Sequence, residues 1–434
     1  MYLYSSLIQR ATDGKPVRVG LIGAGKFGSM FLAQVPTTPG LVVTTIADLD
    51  PAQAILRCRE VGWDDARVAN TDFIDDAEVM IREDKVDVVV EATGYPAAGI
   101  RHALLCAAHG KHIVMVNVEA DVLAGPYLAQ QARQAGVVYS MAYGDQPALT
   151  MEMIDWARSC GFNVVAAGKG TKYLPSYHES TPDTVWSHYG LSAVEAAAAG
   201  MRSQMFNSFL DGTKSGIEMA AIANASGLQA PSNGLAFPPC SADDLAQVLR
   251  PQSVGGQLEF SGQVEVVSSL ERDGKSVDRD LRWGVYCVFE APNDYSAACF
   301  RQYGMNTDDS GRYSAMFKPF HLIGLELNIS ILSAALRGQP TGAPVGFNAD
   351  VVAVAKRDLE VDETLDGEGG YTVWGRIMPA NASIDMQALP IGLASEVKLT
   401  TPIKQNQVIT LKDIDADTDT QAWQVRNAML QAFA

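Results

Sequence analysis

Up to about residue 150, short apolar runs rich in β-branched residues alternate with stretches whose apolar residues recur at helical spacing. The runs at 17–22, 41–47, 86–91, 112–116 and 137–140 read as strands, with a weaker one at 67–69. The stretches at 26–35, 51–61, 75–83, 96–109 and 124–135 read as helices. Strands that are apolar along their whole length, joined by crossover helices, predict a parallel, doubly wound sheet covered on both faces. The fold class is therefore α/β, with a first domain over 1–150.

The texture then changes. A helix at 151–160 and a strand at 164–167 lead into a loop at 171–189 rich in Pro, Tyr, Ser, Thr and His. A strand at 204–210 and a helix at 214–225 follow, then two strands at 263–270 and 283–290 paired across the turn at Asp273-Gly274. A long apolar helix at 322–336 closes an α+β domain spanning 151–345. Residues 337–347, with three glycines and two prolines, read as a linker. Beyond it, strands at 351–355, 371–377 and 408–411 and a helix at 420–433 predict a small, mostly-β third domain over 346–434.

Composition narrows the function. Hydrophobic residues make up 47% and charged residues 19%, as in globular proteins. With 33 basic against 50 acidic residues the formal charge is −17, which argues against nucleic acid and anionic membrane surfaces as partners. An anionic substrate would need a local basic pocket. Six cysteines without CxxC pairs read as reduced thiols, and the first sixteen residues contain no apolar leader core. No apolar run reaches membrane length. A cytoplasmic protein is expected, forming a homo-oligomer and acting on a small molecule.

The chemistry starts at Gly23-Ala24-Gly25-Lys26-Phe27-Gly28, which follows one expected strand directly and opens a helix. Gly23 permits the tight turn, Gly25 lets backbone approach a pyrophosphate, and Gly28 allows close helix–strand packing. The helix start, carrying Lys26 and Phe27, supplies N–H groups and partial positive charge. This is the dinucleotide-binding turn of a Rossmann sheet. The second strand ends at Asp48, where a carboxylate accepts bonds from ribose hydroxyls and repels a 2′-phosphate. No arginine immediately follows it, so NAD is favoured over NADP, while Asp50 before Pro51 reads as a helix cap. Ala92, Thr93 and Gly94, then Asn117 and Glu119, stand at later strand ends, where a cofactor's ribose and nicotinamide would pass.

These features resemble the homoserine dehydrogenase superfamily, through Gly23–Gly28, Glu91-Ala92-Thr93-Gly94, Val116-Asn117 and Gly144 with Pro147. Homoserine dehydrogenases carry a lysine shortly after that asparagine, where this chain reads Val118-Glu119. A fuller resemblance is to the branch with a C-terminal SAF-like domain, which includes reductoisomerase-like enzymes for 1-deoxyxylulose 5-phosphate and is related to oxidoisomerases of branched (apionate-type) sugar acids. It rests on Asn117-Val118-Glu119-Ala120-Asp121, Ala167-Gly168-Lys169-Gly170, Thr181-Pro182-Asp183, Asp211-Gly212-Thr213-Lys214, the string from Glu218 to Ala225, Pro319-Phe320-His321-Leu322 and the string from Ala353 to Leu359. The resemblance implies NAD(P)-dependent chemistry on a secondary alcohol of a sugar acid or sugar phosphate, with a skeletal rearrangement open.

Hydride transfer at a carbinol needs a group to take or return the hydroxyl proton. Lys169 between glycines, or Lys214 one turn before Glu218, fits that role, with His321 opening the long apolar helix as a further catalytic candidate. Each has an ordinary counterpart: a loop lysine, a surface i,i+4 pair, a capping histidine. Asp145, His178, Asp211 and Asn224 are candidate substrate contacts, whereas His102, His109 and His112 read as surface residues. Glu119 and Asp145 would suit a divalent ion, but no ligand spacing assigns one. A lyase or isomerase with tightly held, recycled NAD, a homoserine dehydrogenase-like activity and an NAD-sensing binding protein remain alternative readings.

Overall fold

Six parallel strands carry the glycine-rich turn: β1 (Val17–Ile22), β2 (Leu41–Ala47), β3 (Asp72–Ile74), β4 (Val88–Glu91), β5 (His112–Met115) and β6 (Tyr139–Met141). Their order is β3-β2-β1-β4-β5-β6. The order reverses between β1 and β4, and in doubly wound sheets ligands bind beside the carboxyl ends at that reversal. All four residues of β4 are buried, as a strand covered on both faces must be. Helices are started by local chemistry: Asp50 accepts from Gln53 N at 3.0 Å, with Pro51 in the first helical position.

The structure, a computed structural model, describes residues 2–198 and 200–433. They group into two units. One comprises the chain through Met151 with His321–Val345 and Val425–Phe433; the other comprises Glu152–Phe320 and Gly346–Gln424. The stretch expected as a third domain is thus divided, 346–424 grouping with the second unit and 425–433 with the first.

Several elements of the first unit differ from the sequence pattern. Residues 67–69 are not a strand but lie in the helix Asp65–Ala69, started by the Asp64 carboxylate on Arg67 N at 2.7 Å. The sixth strand is the short β3 that follows. The helix expected at 124 begins at Val118, because Asn117 caps it and Pro126 sits inside it rather than at its start. The long helix expected from 322 begins only at Asn328. Gly324 adopts a left-handed φ of 77°, and a Cβ there would lie 2.9 Å from Phe27 O, so 321–327 turn tightly against the glycine-rich helix.

In the second unit, β7 (Asn163–Thr171), β8 (Gln263–Ser268), β9 (Val285–Glu290) and β10 (Tyr313–Lys318) form a mixed sheet in the order β10-β9-β7-β8. β8 and β9, expected to pair, are separated by β7. The Asp273-Gly274 turn instead closes a small loop bridged at Leu270 and Ser276. Residues 204–210 are helical rather than extended, Phe206 packing on Trp186 and Asn207 bonding back to Ser180 O at 3.0 Å. β11 (Ala349–Ala355), β12 (Thr364–Asp366), β13 (Val373–Pro379), β14 (Ser395–Leu399) and β15 (Ile414–Asp415) complete the unit as two small antiparallel sheets. At 408–411, Val408 and Thr410 make only isolated bridges, and a tight 3-10 turn follows.

Candidate functional site

In the first unit the glycine-rich turn has the geometry that a dinucleotide needs. Gly23 has φ 91°, and a Cβ on it would lie 2.8 Å from Ala92 O, so the turns after β1 and β4 touch. A Cβ on Gly28 would lie 2.4 Å from Gly23 O, whereas one on Gly25 would meet nothing within 4 Å. Gly25 precedes the helix Lys26–Gln34, whose start no side chain caps. Open space in front of uncapped N–H groups fits a pyrophosphate. Lys26 is exposed at that start and Phe27 packs into the core below it.

Asp48 grips the turn from the side. Its Oδ2 accepts from Ala24 N at 2.7 Å and its Oδ1 from Asp50 N at 3.0 Å. Arg57, to which the sequence pattern gave no role, donates from Nη1 to Ala24 O at 2.7 Å. A carboxylate and a guanidinium therefore hold the two ends of one residue's backbone where the adenosine ribose is expected.

Beyond β4, Ala92 is half-buried and Thr93 and Gly94 are exposed. Asn117, 1% exposed, presents nothing to a ligand: its Oδ1 accepts from Ala120 N at 3.1 Å, and its Nδ2 donates to Tyr95 O at 2.9 Å and to Thr93 Oγ1 at 3.3 Å. It positions the Thr93–Tyr95 turn. Behind that turn Thr93 donates to Glu91 Oε1 at 2.5 Å, and His102 Nδ1 lies 3.2 Å from the same oxygen. His102 is therefore buried, not on the surface as its helix position suggested.

Glu119 is half-buried in the first turn of the helix Val118–Gln134. Asp145 is buried and shares a small cavity with Asp121, Met115, Val118, Met141 and Ala142. Asp121, which the sequence pattern passed over, accepts from Tyr139 OH at 2.8 Å, and burial pushes its carboxyl up to about 7. His321 belongs to this unit and precedes a turn rather than opening a helix.

In the second unit, Lys169 is not on a loop. It lies within β7, 5% exposed, and its ammonium pairs with Glu218 in the helix Thr213–Ser226. Its neighbouring glycines answer to packing: a Cβ on Gly168 would lie 1.9 Å from Glu265 O, and one on Gly170 2.0 Å from Leu281 O. Lys214 is half-buried in the first turn of the same helix.

Asp211 is buried and paired with Lys356. His178 meets the same segment: its Nδ1 lies 2.7 Å from the carbonyl of Asp211, an acceptor only, so Nδ1 carries the proton. Its Nε2 then accepts from Tyr173 OH at 3.0 Å. This neutral form agrees with the downward shift that burial imposes on the imidazole. Asn224 is committed to backbone, its Oδ1 accepting from Asn348 N and Ala349 N and its Nδ2 donating to Ala349 O.

Glu265 is a further buried carboxyl that sequence reasoning missed. Burial raises it to about 7, against the N–H groups of Val266, Ala236 and Phe237 that it accepts. The signal was a lone charge inside an apolar strand, and the same holds for Asp121 and Lys356 beside their apolar runs. Among the described residues no group of three or more His, Cys, Asp or Glu side chains is arranged to hold a metal ion, and no helix is long and apolar enough to cross a membrane.

Two families match parts of the chain. Residues 23–141 match the NAD binding domain of homoserine dehydrogenase, and residues 144–327 match the catalytic domain of oxidoreductase DRL. No curated protein matches the chain. Among solved structures, the chain is similar to one described as a probable dehydrogenase from Thermotoga maritima, at 14% identity and a TM-score of 0.39, over 75% of this chain and 90% of that one. It is also similar to myo-inositol dehydrogenase from Lactobacillus casei in complex with NAD(H) and myo-inositol, at 15% identity and a TM-score of 0.36, over 63% and 71%. With a nicotinamide-dinucleotide domain followed by an oxidoreductase catalytic domain, the chain is an NAD(P)-dependent oxidoreductase.

Proposed function

We propose that the chain interconverts a secondary alcohol and a ketone on a small sugar acid or sugar phosphate, with NAD the favoured cofactor. The observation that carries this reading is the Lys169–Glu218 pair, a proton-bearing ammonium held among apolar neighbours within the match to an oxidoreductase catalytic domain. The nicotinamide ring, when bound, supplies or accepts the hydride at C4.

The chain's own residues do the rest. Gly25 and the helix start after it receive the pyrophosphate, and Asp48 receives the ribose hydroxyls. Lys169 Nζ donates a proton to the substrate oxygen as negative charge develops there in the reductive direction, and takes it back in the oxidative one. Glu218 holds that ammonium in place and balances its charge in a medium where an unpaired ion would be costly. The string from Ala353 to Leu359 supports extending the reading to the SAF-domain branch, where a coupled rearrangement of the carbon skeleton accompanies the redox step.

The test is a panel of sugar acids and sugar phosphates offered with NAD or NADP and read by cofactor absorbance. Turnover of at least one anionic polyol, abolished in Lys169→Ala with cofactor affinity retained, supports the reading. A silent panel, or full activity in Lys169→Ala, overturns it.

A further inference from the structure

Among the described residues, the buried cations of the second unit are neutralised within it, Lys169 by Glu218, Arg250 by Asp308 and Lys356 by Asp211. Arg376 is not. It stands on β13, half-buried, and among the described residues no hydrogen bond or ion pair holds its guanidinium. Burial alone draws it below the usual arginine range, with no carboxylate acting in the other direction. A cation that has lost water and gained no partner is costly, so such a group in a native fold calls for an explanation.

Its surroundings supply one. Side chains two apart on a strand share a face, so Trp374 lies on the same side of β13 as Arg376, and both are half-buried between fully buried neighbours. The opposite face is packed internally, where a Cβ on Gly375 would lie 2.8 Å from Thr213 Cγ2. Trp374 stacks on His178 with ring centroids 3.8 Å apart, and its indole Nε1 is a buried donor with no acceptor among the described residues. His178 spends its own proton on Asp211 O and its lone pair on Tyr173 OH. Gly234 makes room for the arginine: a Cβ there would lie 3.0 Å from Arg376 Cγ.

One face of β13 therefore presents two donors, one of them charged, and no acceptor for either among the described residues. We propose that Arg376, with the indole N–H of Trp374, binds the oxyanion of the substrate, a carboxylate or a phosphate. A planar guanidinium matches either group through two parallel hydrogen bonds. The chain's charge of −17 repels anions at long range, so the attraction has to be local. That the ligand is the substrate rests on the substrate class proposed above; that the site takes an anion does not.

The experiment is calorimetric titration of the full chain with inorganic phosphate, with tartrate and with neutral erythritol, in wild type, Arg376→Gln and Arg376→Lys. Wild type is expected to bind phosphate or tartrate but not erythritol, and Arg376→Gln to bind that anion about ten-fold more weakly or worse. Phosphate alone points to a phosphate ester, tartrate alone to a sugar acid. Unchanged affinity in Arg376→Gln overturns the proposal, as does a wild type that binds neither anion. Should Arg376→Gln fail to fold, Arg376→Lys keeps stem and charge but loses the fork; several-fold weaker binding supports the site, and equal binding overturns it. Anion binding through Arg376 with a silent substrate panel would retain this site and remove the sugar-acid or sugar-phosphate reading. Turnover with anion binding indifferent to Arg376 would do the reverse.

Discussion

The Lys356 ammonium forms an ion pair with Asp211 Oδ2 at 2.8 Å and donates hydrogen bonds to Ser180 O at 2.8 Å and Gly370 O at 2.7 Å. Two of its protons go to those carbonyls while the charge is balanced by the carboxylate, and Asp211 Oδ1 accepts from Thr213 N at 2.9 Å. The pair ties the start of the helix Thr213–Ser226 to the end of β11. Asp211, which the sequence offered as a substrate contact, is spent on that task. Lys356→Met leaves a buried carboxylate without its cation and is expected to cost about 3–5 kcal/mol in urea unfolding. The double variant Lys356→Met with Asp211→Leu is expected to recover much of that loss. A single variant as stable as wild type would contradict the assignment.

The glycines of the cofactor turn separate folding from binding. Gly28→Ala forces a methyl against Gly23 O and is expected to lower stability by about 1–3 kcal/mol. Gly25→Ala meets no protein atom, so it should fold as wild type while its NADH dissociation constant rises about ten-fold or more. Thermal unfolding and fluorescence titration of NADH on both variants check the contrast.

Asp48 and Arg57 hold the N–H and C=O of Ala24, respectively. Asp48→Ser removes the charge that repels a 2′-phosphate and leaves the guanidinium in place. Its NAD affinity should fall and its NADP affinity rise, changing their ratio about ten-fold. The two dissociation constants measured side by side decide this, and a ratio that does not move would rule out Asp48 as the discriminator.

Lys169→Ala and Glu218→Gln act on the same buried pair from its two ends. Removing the proton donor is expected to lower kcat/KM by about 10²–10⁴, with NADH affinity unchanged. Glu218→Gln should lower it less, because the ammonium remains, and should shift its pH profile. Single-turnover kinetics at several pH values provide the measurement.

Asp121 gives stability a pH dependence of stated sign. Its carboxyl titrates near 7 in the fold because of burial, against an ordinary value near ~4 in the unfolded chain. Between those values the folded state holds a proton that the unfolded state has lost. The stability it contributes is therefore complete below about pH 4 and is lost as pH rises through about 7, by at most ~4 kcal/mol. Asp121→Asn keeps an acceptor for Tyr139 OH and never ionises. Its stability relative to wild type should climb between acid and neutral pH in urea unfolding, and a flat difference would count against a buried, neutral Asp121.

The sequence by itself determined the parallel sheet and its cofactor turn, because both are local. Apolar runs name β1, β2, β4 and β5 without help, and Gly23, Gly25 and Gly28 each answer to a backbone approach within a few residues or to the next strand. Lys169 and Glu218 were legible as catalytic candidates, but not as partners, since spacing paired Glu218 with Lys214. Tertiary structure decided the rest. β7 inserts between β8 and β9, and the helix Thr213–Ser226 packs against it, which brings Lys169 onto Glu218; no pattern inside either segment states that arrangement. Asn117, Asp211 and Asn224 have the polar side chains of binding residues, yet partners distant in sequence claim them, backbone groups for the two asparagines and the Lys356 ammonium for Asp211. Arg376 shows the reverse case. Its residue type was plain throughout, and only the folded arrangement, which buries its side chain and brings it no counter-charge, gives it a meaning. Periodicity reports which side chains leave water, whereas the partners they find there depend on chain crossings that periodicity does not encode.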